Sequence, residues 1–411
     1  MEAAELTQSK MQQRWTNGFL RDETVGGLLM IVAAIAALVI ANSPAAHWYN
    51  TTAHYTVHIP AIDLHMSVAH ITADFLLAFF FLIAGAELKH ELVLGSLNGV
   101  KRAMTPVAGA AGGMLMAALV FTAICSLMGG NPSERRGWAI PTSTDIAFAL
   151  AVLAIIGRRS APGVRVLLLS IAIINDLGSI LIIGSAFATT VHVLALVAAG
   201  FFVFVWWLMQ QLGVHRALAY APVFLLTWYF MHASGIHATV AGMLLGLATK
   251  ATKVEANERT GVEQLEHWLR PAVACIAVPA FAFFAAGIDF HGQDVATQLL
   301  SPLSISVMCG LALGQPLGVF LGIRLAIAAR IGSIDPDLTW RDIAAVACLA
   351  GMGFTVALLV ADLALPSYGP FINGAKTGIL AGVCAATLFA LLALRRARSH
   401  RESAAAVPVS R

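Results

Sequence analysis

The chain has 411 residues, 59% of them hydrophobic and 11% charged, with a mean hydropathy of +0.81. Soluble domains carry about 25% charged residues, so this composition excludes a water-soluble globular fold and points to an all-α polytopic membrane protein with the lipid bilayer as solvent. The net charge of +3 is too small to signal a nucleic-acid partner, and the placement of the charges is more informative than their sum. Residues 1–23 are polar, with Lys10, Arg14, Arg21, Asp22 and Glu23, and hold no short apolar core ending in a small-residue cleavage site, so no secretory signal peptide is expected.

At ~20 apolar residues per span, the sequence predicts twelve: near 24–42, 66–88, 103–128, 138–157, 165–187, 191–210, 217–231, 236–249, 271–288, 302–323, 342–363 and 374–394. With a cytoplasmic N-terminus, only Arg135, Arg136 and Lys376 of the 25 Lys and Arg fall outside, a bias that places both termini in the cytoplasm. The same bias supports the short eighth span, because deleting it would invert every later loop. Residues 24–395 thus read as a single transmembrane domain between a cytoplasmic segment, 1–23, and a basic cytoplasmic tail, 396–411, expected to be disordered.

Two connections stand out. AAHWYNTTAHYTVHIPAI, residues 45–62, is rich in Tyr, Thr, Val and His with rough alternation and falls on the outer face, which predicts a short external β-hairpin. Residues 250–267 form a charged cytoplasmic connection. The five cysteines fall singly in apolar stretches and read as packing residues rather than disulfides or metal ligands.

A charge at the centre of a span costs roughly 2.5–3.5 kcal/mol, which makes each one a functional candidate. Asp74, Asp145 and Asp176 lie inside spans, and Glu87, Glu91 and Asp362 lie near ends. Asp74 reads either as a cytoplasmic-side lining residue or as a satisfied polar core group, and His232 and His237 as interfacial histidines. In AIPTSTDIAFAL, residues 139–150, Pro141 interrupts the fourth span, and Thr142 to Asp145 supply helix-capping side chains at membrane depth. The eleventh span carries a comparable weakness in LAGMGFT, residues 349–355, where the conformational freedom of Gly351 and Gly353 can release the helix geometry. A single Pro or Gly kink is common and functionally silent. Two breaks at matched positions, one beside a carboxylate, point to an inverted-repeat transporter with a midplane site.

The strings FLIAGAELKHELVLGSL, PTSTDIAFALAVLAIIGRR, IINDLGSILIIGSAF, GIHATVAGMLLG, LEHWLRP, GQPLG and GMGFT, in chain order, resemble the NhaA family of sodium/proton antiporters over about residues 12 to 395. The family is itself an example of the inverted-repeat architecture. The resemblance implies twelve helices with crossing broken fourth and eleventh helices, a cytoplasmic funnel, and a homodimer held partly by the outer hairpin at 45–62. It also implies a location in a bacterial cell inner membrane, a part in pH homeostasis, and extrusion of sodium or lithium in exchange for protons, with no cofactor and no enzymatic activity.

Residue by residue, the resemblance implies Asp176 as the essential cation and proton carboxylate. Asp145 and Thr144 would face it, with sodium held at Asp176 and Asp145. Glu87, Glu91, Glu266 and His267 match a cytoplasmic cluster associated with pH regulation, and His237 matches a further histidine tied to pH response. An arginine is usual in the family where His90 stands.

A larger departure is at IAIINDLGSI. Electrogenic members carry two adjacent aspartates and a lysine within G-K-P-L-G, whereas this chain has Asn175 and Asp176, and Gln315 before Pro316. Removing one partner of a buried ion pair costs ~3–5 kcal/mol, while neutralising both is close to neutral. The two amides can also keep a hydrogen bond across the same gap. One exchanging carboxylate then predicts one proton per cation and electroneutral exchange. The competing reading has Asp145 and Asp176 titrating together and the exchange electrogenic. Readings from other classes are a sodium-coupled solute symporter on the same fold, a passive cation channel, and an intramembrane aspartyl protease, whose GxGD string is missing from this chain.

Overall fold

A computed structural model describes residues 23–59, 64–95, 100–157, 161–187, 191–214, 216–252, 260–290, 295–365 and 370–405. The expected N-terminal segment, with Lys10, Arg14 and Arg21, lies almost wholly outside the described residues. In chain order the elements are α1 (Glu23–Ala41), α2 (Ala46–His54), β1 (Thr56–Ile59), β2 (Leu64–Ser67), α3 (Val68–Val93), α4 (Val100–Leu127), α5 (Pro132–Thr142), α6 (Ile146–Ile156), α7 (Pro162–Ala186) and α8 (Val193–Gln211). They continue with α9 (Ala217–Ala233), α10 (Thr239–Ala248), α11 (Gly261–Ala286), α12 (Val295–Leu299), α13 (Pro302–Ala328), α14 (Trp340–Ala350), α15 (Thr355–Ala364) and α16 (Pro370–Ala405).

Seven of these, α3, α4, α7, α8, α11, α13 and α16, are long and apolar enough to cross a membrane, and the number rises to ten if each sharply bent pair is one span. The helices α9 and α10 are apolar but shorter. The physical reason for so much helix is that lipid offers no hydrogen bonds, so an apolar run satisfies its backbone internally.

Close packing depends on glycines that the apolar pattern does not reveal. A Cβ on Gly318 or Gly322 of α13 would collide with the carbonyl of Gly112 or Ala108 on α4. One on Gly242 or Gly246 of α10 would collide with the carbonyl of Ala78 or Leu82 on α3. These pairs therefore touch backbone to backbone, the close approach that small residues allow in membrane bundles.

Three boundaries differ from expectation. Residues 46–54, expected in a hairpin strand, are helical, because Tyr49 turns inward, is 3% exposed, and donates its hydroxyl to the Phe283 carbonyl at 2.7 Å. The two-stranded antiparallel sheet lies further on, pairing Thr56 with Ser67 and His58 with His65. The connection expected over 250–267 ends at Thr260, whose hydroxyl accepts from the Glu263 backbone in a capping box that starts α11. The tail expected to be disordered from 396 is helical to Ala405, since ALRRARSHRESAA is rich in strong helix formers. Residues 406–411 lie outside the described residues.

Candidate functional site

The fourth expected span is α5 and α6, bent by 51°, and the eleventh is α14 and α15, bent by 45°. In the first, residues 136–142 wind as a 3-10 helix through Pro141, and the chain then runs extended to Asp145. Asp145 is the N-cap of α6 and its Oδ1 accepts from the Phe148 N–H at 3.0 Å. In the second, Gly351 to Phe354 are non-helical. Gly351 and Gly353 do not have positive φ, so they are not there for left-handed backbone. They are there for space. A Cβ at 351 would meet the Leu311 carbonyl and the Pro316 ring, and one at 353 the Ser143 carbonyl.

Each break supplies what the other lacks. The Asp145 N–H donates to the Met352 carbonyl at 2.8 Å, and the Thr144 hydroxyl donates to the Ala350 carbonyl at 2.6 Å. Asp145 Oδ2 accepts from both the N–H and the hydroxyl of Thr355, at 3.0 and 2.8 Å. The helix ends, which would otherwise leave unpaired backbone groups in an apolar interior, thus close on one another.

Asn175 and Gln315 attach to this junction and not to each other. Asn175 Nδ2 donates to the Thr144 hydroxyl at 2.8 Å, and Gln315 Nε2 donates to the Thr142 carbonyl at 2.8 Å. The expected amide-to-amide bond is absent among the described residues because each NH2 faces a stronger claim. The Thr142 carbonyl can only accept, and the Thr144 hydroxyl has already committed its proton. Thr144 consequently faces Asn175 and Ala350. Beside Asn175 on α7, Asp176 is 1% exposed, and neither carboxylate oxygen has a hydrogen-bond partner among the described residues.

The family model for Na+/H+ antiporter 1 matches residues 17–394. Among similar proteins, the "Na(+)/H(+) antiporter NhaA 3" of Streptomyces coelicolor is 44% identical over 382 residues, 92% of this chain and 80% of the relative. The "Na(+)/H(+) antiporter NhaA" proteins of Streptomyces avermitilis and Mycolicibacterium smegmatis are 43% and 41% identical, over 92% and 93% of this chain and 81% and 88% of theirs. The chain belongs to the Na+/H+ antiporter 1 family.

For this family member, the pH-sensing candidates fall into two groups. At one end of α3, Glu87 and, on α11, Glu266 share the guanidinium of Arg270. Glu91 lies one turn beyond Glu87, and His267 follows Glu266. Glu87 and Arg270 also line a cavity of about 80 Å³ whose wall includes Ile146 and Ala147, the first turn of α6. His237 is elsewhere. Its Nε2 lies 2.7 Å from Asp74 Oδ1, and its Nδ1 lies 2.8 Å from the Thr239 hydroxyl. His232 Nδ1 and His70 Nε2 approach the same Asp74 carboxylate at 3.4 and 4.0 Å. Asp74 therefore sits not at the Glu87 end of its helix but 13 residues away, about 20 Å at 1.5 Å per residue. Asp362 faces Lys376 at 3.8 Å.

Thr355, Arg270 and His70 are not among the site residues expected from the sequence. The first two had a signal: Thr355 follows GMGF as the first residue of a half-helix, and Arg270 is four residues after Glu266, the spacing of a helical ion pair. His70 stands four before Asp74 in the same way.

Proposed function

We propose that the protein exchanges cytoplasmic sodium or lithium for external protons across a bacterial inner membrane, with Asp176 as the carboxylate for which both ions compete. One observation carries this reading: a fully buried carboxylate with no hydrogen-bond donor among the described residues, beside the junction of two interrupted helices. An isolated ionised carboxylate is costly in an apolar interior. A proton or a hard cation each removes that cost, and the two cannot bind the same oxygens at once. The loaded forms can therefore pass between the two faces while the empty anion is penalised, which makes exchange obligatory.

Asp145 has a different part. Its oxygens accept three hydrogen bonds that cap α6 and join it to α15, so it acts as a fixed charge beside the moving ion rather than as a second exchanging group. With Asn175 and Gln315 neutral, the exchange is one proton per sodium ion and electroneutral. The positive-inside pattern supports cytoplasmic termini. The matched breaks support twelve spans built as inverted repeats with crossing half-helices. The β1–β2 sheet, with residues 45–62, is the proposed homodimer contact, and the two carboxylate clusters of α3 are the proposed pH-responsive elements, Glu87, Glu91, Glu266 and His267 on the cytoplasmic side and His237 on the other.

The test is exchange in proteoliposomes. Asp176→Asn is expected to abolish sodium-driven proton movement, and the unsubstituted protein to exchange at the same rate under a clamped and an unclamped membrane potential. Retained exchange in Asp176→Asn removes Asp176 from the mechanism, and a potential-dependent rate assigns the electrogenic alternative.

A further inference from the structure

Resting on that reading of Asp176, we propose that the hydroxyls of Ser143 and Ser179 are neutral oxygen ligands of the transported cation. Both side chains are buried, at 0% and 1% exposure, and neither hydroxyl has a hydrogen-bond partner among the described residues. That is unusual for these positions. In a helix a serine hydroxyl normally bonds the carbonyl four residues back. The other two serines of α7 do so, Ser170 to Val166 at 2.9 Å and Ser185 to Leu181 at 2.6 Å. Ser179 does not take the Asn175 carbonyl. It lies three residues after Asp176, so the two share a helix face one turn apart.

Ser143 is the matching exception in the break. Its neighbours are satisfied, Thr142 by the Ala139 carbonyl and Thr144 by the Ala350 carbonyl. Ser143 lies between the two residues that hold Gln315 and Asn175, next to the α7 turn bearing Asp176. Among the described residues, two hydroxyls, the Asn175 amide oxygen and the Asp176 carboxylate thus lack partners on the two segments that the Asn175–Thr144 bond joins, the break at 143–145 and the 175–179 turn of α7. A hard cation leaving water needs several oxygens in place of its hydration shell, and neutral ones add coordination without adding a second charge. The unpaired oxygen of Gln315 has another explanation. It lies against Gly113 of α4, where the missing Cβ leaves it room, and it is not part of the proposed shell.

The experiment measures sodium binding by the purified full chain with radioactive sodium, together with the sodium dependence of exchange. Ser143→Ala and Ser179→Ala are each expected to weaken apparent sodium affinity about tenfold, a factor corresponding to about 1.4 kcal/mol, with a smaller effect on the maximal rate. Ser179→Cys, which keeps volume but offers a soft sulfur, is expected to lose as much affinity as the alanine variant. Ser304, a third buried serine hydroxyl without a partner among the described residues, lies on α13 eleven residues before Gln315, about 16 Å along the helix. Ser304→Ala is the control and is expected to bind sodium as the unsubstituted protein does. Affinity within twofold of the unsubstituted protein in either alanine variant, or an equal loss in Ser304→Ala, overturns the proposal. Sodium binding retained by Asp176→Asn instead overturns the underlying reading of Asp176, so the two failures are distinct.

Discussion

Restoring charge at positions 175 and 315 tests whether a buried ion pair has been removed from this chain as a unit. The two side chains attach to stations two residues apart, the Thr142 carbonyl at the end of the 3-10 helix and the Thr144 hydroxyl in the extended stretch that follows it. That spacing is about 6.6 Å at 3.3 Å per residue. Asn175→Asp puts an acceptor opposite a hydroxyl whose proton goes to Ala350, and it adds an uncompensated buried charge. Gln315→Lys adds the opposite charge but keeps a donor for Thr142. Each single variant is expected to lose about 3–5 kcal/mol of stability. Opposite charges separated by roughly that backbone spacing attract by about 2.5 kcal/mol at an effective dielectric of about 20. The double variant should therefore be more stable than the sum of the singles by roughly that amount. Denaturant unfolding in detergent measures the cycle, and sodium-jump currents on a solid-supported membrane read the transport consequence: none from the unsubstituted protein, and current from the double variant. Additive singles, or a sodium-driven current from the unsubstituted protein, refute the reasoning.

Two further outcomes follow from the geometry. Gly353→Ala drives a Cβ into the Ser143 carbonyl, a backbone atom that cannot yield without parting the two breaks. About 1–3 kcal/mol of destabilisation is expected, read as a lower melting temperature, and an unchanged melting temperature would remove the close approach as the reason for glycine. Arg270→Gln leaves Glu87 and Glu266 without the guanidinium they share, so the cavity beside α6 becomes more negative. Because these groups are part exposed, about 1 kcal/mol is expected, which is a roughly fivefold lower apparent KM for cytoplasmic sodium in everted vesicles; an unchanged or higher KM would sink this reading of Arg270.

What could be read from the sequence divides along a physical line. Apolar runs specify helices because lipid allows little else, and Pro141 specifies a break because proline lacks an N–H. Gly351 and Gly353 suggest a second break through their freedom of conformation, whereas the structure uses their missing side chains, and closeness to Leu311 and Ser143 is a long-range fact that no local pattern encodes. The partners of Asn175 and Gln315 are likewise not legible in the sequence. Two amides can bond each other, but a carbonyl and a hydroxyl freed by the interrupted helix are nearer, and only the three-dimensional junction brings them there. His70, His232 and His237 come from three places in the chain and acquire a common meaning only around Asp74.

The contrast between the two carboxylates at the junction is the strongest constraint on how the site works. Both are buried, at 4% and 1% exposure, yet Asp145 accepts from three donors on two helices and Asp176 from none of the described residues. A group that bound and released ions at Asp145 would have to give up a helix cap and the bonds to Thr355 in every cycle, each bond to a charged group contributing about 1.5–3 kcal/mol. Asp176 has no such bonds to lose, so its ligand can change while the junction stays joined. If instead both carboxylates exchanged ions, Thr355→Val, which removes one donor to Asp145 and keeps the shape, would shift sodium affinity as strongly as it shifts stability. The geometry requires the reverse: a loss of stability of about 1 kcal/mol or more, and sodium affinity within about twofold, measured on the same purified protein.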